Sequence, residues 1–224
     1  AVDTKDDVFT GLQKYLVDEQ VIDTFYSGED IFADKEEVKL YPNQYIMLVC
    51  NSNDKKTALA RFSSYAEPLR KLYKAEPIWD ILPRNKEQTF AIELLRDPEI
   101  EVVSLIGQAG SGKTLLAVAA GLEQVLGEKS LYKKLIVSRP IQPLGKDIGF
   151  LPGTLEEKME PWLMPIKDNL EFLMGNDRSM VQTYFDQGVI EIEAITYIRG
   201  RSITNAFIII DEAQNLTRHE LKTI

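Results

Sequence analysis

Gly107-Gln-Ala-Gly-Ser-Gly-Lys113-Thr114 satisfies every fixed position of the pattern G-x-x-x-x-G-K-[ST]. Glycines at those positions let backbone N–H groups close around phosphate oxygens with no Cβ in the way. A helix that starts at the end of the loop presents its positive end to the same anion. Gly107, Gln108, Ala109, Gly110, Ser111, Gly112, Lys113, Thr114 and Leu115 are therefore expected to wrap a triphosphate. Lys113 is expected to reach the β- and γ-phosphates, and the Thr114 hydroxyl to ligate Mg2+. From average residue usage, a match arises by chance in about one chain in a hundred of this length. The flanks narrow the reading further. Residues 102–106 (Val-Val-Ser-Leu-Ile) have the content of a buried strand, and residues 114–126 that of a helix.

Such a site needs an acid at the end of a second buried strand. Phe207-Ile-Ile-Ile210-Asp211-Glu212 supplies two. Asp211 is expected to hold the Mg2+ shell. Glu212 falls where a water attacking the γ-phosphate needs a base. Hydrolysis requires that positioned water, whereas nucleotide binding alone does not.

Other residues carry two readings each. Asn85 and Gln88 have the spacing of a capping box opening a helix; alternatively the Gln88 amide reads the edge of an adenine, since it both donates and accepts. Arg199 and Arg201 flank Gly200 just before the Asp211 strand. They are either surface charges or catalytic contacts to phosphate, including a finger supplied to a neighbouring copy. Arg139 ends a strand where a parallel sheet places ligand-facing residues, and it either touches nucleic acid or caps the loop that follows. Thr217-Arg-His-Glu220 is a second capping-box pattern, which turns His219 to solvent. Cys50 reads as a core strand residue, and Trp79 and Trp162 as packing anchors, with stacking on a base as the alternative.

Working outward, the 224 residues suffice for one ordinary domain, or one with a small companion. At 44% apolar and 27% charged the composition is globular, which excludes disorder, collagen and coiled coil. No apolar run approaches the roughly 18 residues of a spanning helix. The net charge is −9. Residues 1–80 carry 15 acids against 10 bases (−5), and residues 81–224 carry 20 against 16 (−4). Neither part is a basic clamp, so any nucleic-acid contact must use a local patch. One cysteine excludes a disulfide framework and a cysteine zinc cluster, and one histidine argues against a histidine metal site. With no signal peptide in view, a cytoplasmic location is expected. The chain starts at Ala1 without Met and stops at Ile224 as a helix begins, so it reads as an excerpt truncated at its C-terminal end.

Residues 1–80 are expected to form a small β-rich module and linker. Strands are expected over 11–17, 38–41 and 45–50, with a partner strand over 56–62, and a short helix after Asp18. Prolines at both ends of 76–84 mark a junction. Residues 81–224 alternate helices (86–95, 113–126, 155–174, 179–185) with strands (102–106, 134–138, 189–195, 207–210), which implies a parallel sheet flanked by helices.

Residues 84–223 resemble the PhoH family of ATPases. The likeness rests on Arg84-Asn-Lys-Glu-Gln88, the Gly107–Thr114 loop, Ser138-Arg-Pro140 running to Gly145-Lys-Asp-Ile-Gly-Phe-Leu-Pro-Gly153, Leu155-Glu-Glu-Lys158, Ile198-Arg-Gly-Arg201 and Asp211-Glu-Ala-Gln-Asn215. Residues 8–80 are similar to the connecting module of longer, PhoH2-type members, in which a PIN ribonuclease domain lies upstream. No segment here reads as that domain, so nuclease activity is not carried over. The resemblance implies a RecA-like, superfamily-one helicase-like core, ATP as ligand, RNA as substrate and ring-like homo-oligomers. It gives Lys113, Thr114, Asp211 and Glu212 the roles already derived, and Gln88 an adenine contact. The family continues into a Gly-Asp-x-x-Gln segment that senses the γ-phosphate, beyond the point where this sequence stops.

The reading is therefore an ATP-dependent, motor-type ATPase acting with single-stranded RNA, as an oligomer whose second copy closes the cleft. Two rivals remain: a P-loop phosphotransferase acting on a small molecule, which has no need of Glu212 beside Asp211, and a nucleotide-gated binding module without turnover.

Overall fold

The structure is a computed structural model, and it describes residues 11–72, 76–128, 130–140, 155–198 and 203–222. The chain forms two compact units, residues 1–75 and 76–224.

In the first unit, β1 (Leu12–Val17) leads into α1 (Glu19–Ser27), followed by β2 (Tyr45–Cys50), β3 (Thr57–Arg61) and the two-residue β4 (Arg70–Lys71). The sheet order is β1-β2-β3-β4. β1 runs parallel to β2, which forces the intervening helix, while β2 and β3 form an antiparallel hairpin. Ile22 and Phe25 of α1 are buried with Ile46, Leu48, Ala58, Ala60 and Phe62. Cys50 lies in this core, as its place in an apolar strand implies. Residues 38–41 do not form the expected strand. A side chain takes the place of a neighbouring ladder: the Tyr65 hydroxyl accepts from Leu40 N–H (2.7 Å) and donates to Val38 C=O (2.6 Å). The backbone is thus partly satisfied without a sheet.

The second unit contains α2 (Lys86–Arg96), α3 (Lys113–Leu126), β5 (Lys134–Arg139), α4 (Leu155–Leu173), α5 (Arg178–Asp186), β6 (Ile190–Ala194), α6 (Ile195–Ile198), β7 (Ala206–Ile210), a 3-10 turn at Ala213–Asn215, and α7 (Arg218–Leu221). Its sheet has the order β6-β5-β7, with both pairings parallel. This is an α/β architecture with a parallel sheet and helices. Leu135, Ile136 and Val137 of the central β5 are fully buried, the continuous apolar run expected of a parallel strand covered on both faces. The core adds Leu116, Val118, Ala119, Ala120 and Leu122 of α3 and Ile166 and Leu170 of α4. Trp79 packs against it, and its indole N–H donates to Leu173 C=O at 2.7 Å.

α3 is fixed from two sides. At Gly121 it approaches the sheet so closely that a Cβ there would stand 2.6 Å from Leu135 Cδ1 and 3.1 Å from Phe207 Cδ1. From α2, the Arg96 guanidinium grips Glu123 through two bonds of 2.6 Å, and Gln124 donates to Leu95 C=O. The residues that head α2 and α3 are thereby held in register.

Residues 102–106 depart from expectation. They form no strand, and Val102 and Ile106 are 82% and 92% exposed. Apolar content makes a segment suitable for a sheet, but a strand exists only where a neighbour supplies ladder partners. Among the described residues the sheet ends at β7. No helix among the described residues is long and apolar enough to cross a membrane.

Candidate functional site

The Gly107–Thr114 loop ends on α3, with Gly112 as its N-cap. Gly110 and Gly112 adopt φ of +75° and +83°, a region that side chains rarely enter, so these two positions require glycine. The Lys113 ammonium folds back into the loop, donating to Gly107 C=O and Gln108 C=O at 2.8 Å each. Leu115 and Thr114 follow in the first turn of α3.

The loop is joined to the sheet through Thr114, whose hydroxyl donates to Asp211 Oδ1 at 2.8 Å. Asp211 is itself anchored, since its N–H donates to Ser138 C=O at 2.8 Å and extends the β5–β7 ladder by one rung. Glu212 then leaves the strand at φ +53° and ψ +37°, a left-handed conformation unusual for a residue with a side chain. Its carboxylate faces Arg139 Nη2 at 3.7 Å through Oε1 and accepts from the Gln214 amide through Oε2. One residue before Arg139, the fully buried Ser138 hydroxyl has no hydrogen-bond partner among the described residues.

Gln88 bridges α2 and the loop. Asn85 Oδ1 accepts from Gln88 N–H at 2.8 Å, which is half of a capping box. The other half is displaced: Gln88 Oε1 accepts from Arg84 N–H at 2.7 Å rather than from Asn85, and Nε2 donates to Ser111 C=O at 3.1 Å. The side chain therefore combines a capping role with a contact to the loop.

The sequence-predicted residues thus fall into three groups. Gln88, the loop, Thr114, Asp211, Glu212 and Arg139 come together by direct contact. Thr217 and Glu220 form a complete capping box on α7, with His219 exposed. Arg199 and Arg201, the segment Gly145–Gly153 and the Trp162 side chain lie outside the described residues. The Arg139–Glu212 pair and the Gln214 contact were not read from sequence. The available signal was that Arg139 and Asp211 both end parallel strands.

The donor set fits Mg2+ and a triphosphate. A carboxylate and a hydroxyl 2.8 Å apart are hard oxygen donors. Mg2+ is held by one or two carboxylates with phosphate oxygens and water completing the shell, so a two-donor protein site suffices. The two left-handed glycines leave backbone in which nothing lies within 4 Å of a Cβ placed at Gly110.

A parallel sheet with a glycine-rich loop opening a helix, bonded to an acid at the end of a second strand, defines a P-loop α/β protein. The profile of the family described as PhoH-like protein matches residues 80–224. The chain belongs to this family. It is 46% identical over 223 residues to Protein PhoH2 of Bacillus subtilis (strain 168), covering 98% of this chain and 50% of that protein. It is 35% identical over 218 residues to Protein PhoH2 of Mycolicibacterium smegmatis, covering 96% and 48%. It is 36% identical over 169 residues to the PhoH-like protein of Bacillus subtilis (strain 168), covering 75% and 50%. The chain spans about half the length of these relatives.

Proposed function

We propose that the chain binds ATP with Mg2+ at the Gly107–Leu115 loop and supports ATP hydrolysis, as the nucleotide-driven part of a cytoplasmic, RNA-directed motor. The observation that carries this reading is the Thr114–Asp211 bond, with Glu212 on the adjoining residue. Two oxygen donors at the loop's mouth and a carboxylate next to them are what a metal-assisted attack of water on phosphate requires.

In this reading Gly110, Gly112 and the first turn of α3 cradle phosphate oxygens through backbone N–H groups. Lys113 leaves Gly107 and Gln108 and transfers its hydrogen bonds to the phosphates. Thr114 and Asp211 would hold Mg2+, which would supply positive charge against the charge developing on the phosphate. Glu212 orients the attacking water and takes its proton. Gln88, seated against Ser111, contacts the adenine edge. Arg199 and Arg201 contact phosphate, within one copy or across to a neighbour. A RecA-like, superfamily-one assignment and a ring of copies that closes the cleft belong to the same proposal.

The test is ATP hydrolysis by the full-length protein, with and without single-stranded RNA, at two salt concentrations. Stimulation by RNA that declines as salt rises supports backbone phosphate contacts. No phosphate release in either condition refutes turnover and leaves a nucleotide-gated binding module. Glu212→Gln is expected to retain ATP binding with hydrolysis lowered roughly 10²–10⁴-fold. A change under about tenfold, below that range, removes Glu212 from its role and favours a phosphotransferase.

A further inference from the structure

We infer that Arg139 is a positioning residue that holds Glu212 back from its water until a phosphodiester backbone draws the guanidinium away. The inference rests on the reading of Glu212 as the base and adds how that base is regulated.

Three observations converge. First, Arg139 lies beside Asp211, one register step beyond the Ser138–Ile210 pair, so strand geometry delivers it to the same edge as the metal ligand. Second, both oxygens of Glu212 already face donors, Oε1 toward Arg139 Nη2 at 3.7 Å and Oε2 toward the Gln214 amide. The carboxylate has further lone pairs to offer, but these two contacts fix where it points, and it turns toward a water at the loop when one of them is given up. Third, Glu212 is held at φ +53°, a left-handed turn from which its carboxylate meets the neighbouring strand's Arg139. Thr114 and Asp211 mark the line from loop to β7. Arg139 ends β5, the strand between β6 and β7, and so draws the carboxylate sideways across the sheet.

The ligand chemistry that can break this contact is a phosphodiester. A guanidinium binds phosphate through two parallel N–H···O bonds, whereas here it meets Glu212 at ion-pair distance. Arg139 has access to such a ligand, because its side chain is 23% exposed and sits at the strand ends where ligands of parallel sheets bind. Exchange of Glu212 for a backbone phosphate then couples nucleic-acid binding to release of the base, with no movement of the sheet. The restraint is modest, since the Glu212 side chain is 40% exposed and such pairs are weak.

The experiment compares ATP turnover by the full-length wild type, Arg139→Gln, Arg139→Lys and Gln214→Ala, first without and then with single-stranded RNA. Arg139→Gln is expected to raise the RNA-free kcat roughly two- to fivefold, the population shift that an exposed pair supports, with KM for ATP little changed. Its stimulation by RNA should fall toward one. Gln214→Ala should raise the RNA-free kcat in the same direction. Arg139→Lys, which keeps the cation but loses the fork, should lie between wild type and Arg139→Gln. An RNA-free kcat of Arg139→Gln at or below wild type overturns the restraint, because a merely structural arginine loses activity when removed. A raised kcat with the stimulation factor intact overturns displacement by RNA. A wild type that RNA does not stimulate refutes the RNA part of the proposed function, while the RNA-free comparison still decides the restraint. A structure with a non-hydrolysable ATP analogue and RNA gives a readout independent of turnover. Glu212 beyond about 4 Å from Arg139 supports exchange, and an intact pair overturns it.

Discussion

Gly121→Ala tests the closeness of α3 to the sheet, on which the alignment of Thr114 with Asp211 depends. A Cβ at residue 121 stands 2.6 Å from Leu135 Cδ1. The optimum for two carbons is about 3.5–4.0 Å, so roughly 1 Å must be found. Leu135 is fully buried within the core that α3 also lines. Either its rotamer is strained or α3 lifts. Overpacking of this kind costs about 1–3 kcal/mol. Alanine in a helix interior returns about 1 kcal/mol relative to glycine. The net expectation is destabilisation of about 0–2 kcal/mol, a fall in Tm of up to about 8 °C for a unit of this size. Gly121→Val adds two methyl groups without the full propensity gain and should be worse. Thermal unfolding followed by tryptophan fluorescence reads this unit, because Trp79 and Trp162 both lie in residues 76–224. Leu135→Val in the Gly121→Ala background should recover part of the loss, giving a coupling of about 0.5–1 kcal/mol. A Gly121→Ala protein stabilised by the full propensity gain would show that no close contact exists, and the geometry linking α3 to β5 and β7 would be wrong.

Lys113→Ala removes an ammonium that now bonds two loop carbonyls. Loss of charge-assisted bonds worth about 1.5–3 kcal/mol should weaken Mg-ATP binding roughly 10- to 150-fold by calorimetry, and unchanged affinity would remove the loop from nucleotide binding. Asp177 caps α5, accepting from Ser179 Oγ and Met180 N–H, and these bonds, the Ser179 hydroxyl first, hold its carboxyl below the ordinary value of 3.8. A depressed value means stability that is present above the unfolded value and lost as pH falls through the folded one. Asp177→Asn keeps the cap without titrating, so wild type should be the more stable protein at pH 6, with the difference shrinking below pH 3.8 in thermal melts. A difference independent of pH would contradict the ionised cap.

The parts of the site read from sequence are those encoded by neighbours along the chain. The loop, its helix and the Asp211-Glu212 pair after an apolar strand each carry a local pattern. What was not legible depends on neighbours across the fold. Residues 102–106 had strand content, but a strand needs a lateral partner that local composition does not specify. Residues 38–41 likewise had the content, and Tyr65, some 25 residues on, took the backbone groups instead. Gln88 displayed its capping spacing, yet its amide reached Arg84 and Ser111, a choice set by the packing of α2 on α3. The Arg139–Glu212 pair follows from the β5–β7 register, and the register depends on which strands adjoin.

The backbone at Glu212 has a consequence for how this unit tolerates change. Holding an L residue at φ +53° costs about 1 kcal/mol that glycine would be spared, and aspartate, which accepts such turns more readily, is one methylene shorter. A sturdier molecule is thus one substitution away, at the position whose carboxylate the proposed function needs. A screen that rewards durability alone is expected to drift toward glycine there and, on the proposed role of Glu212, to return proteins without turnover.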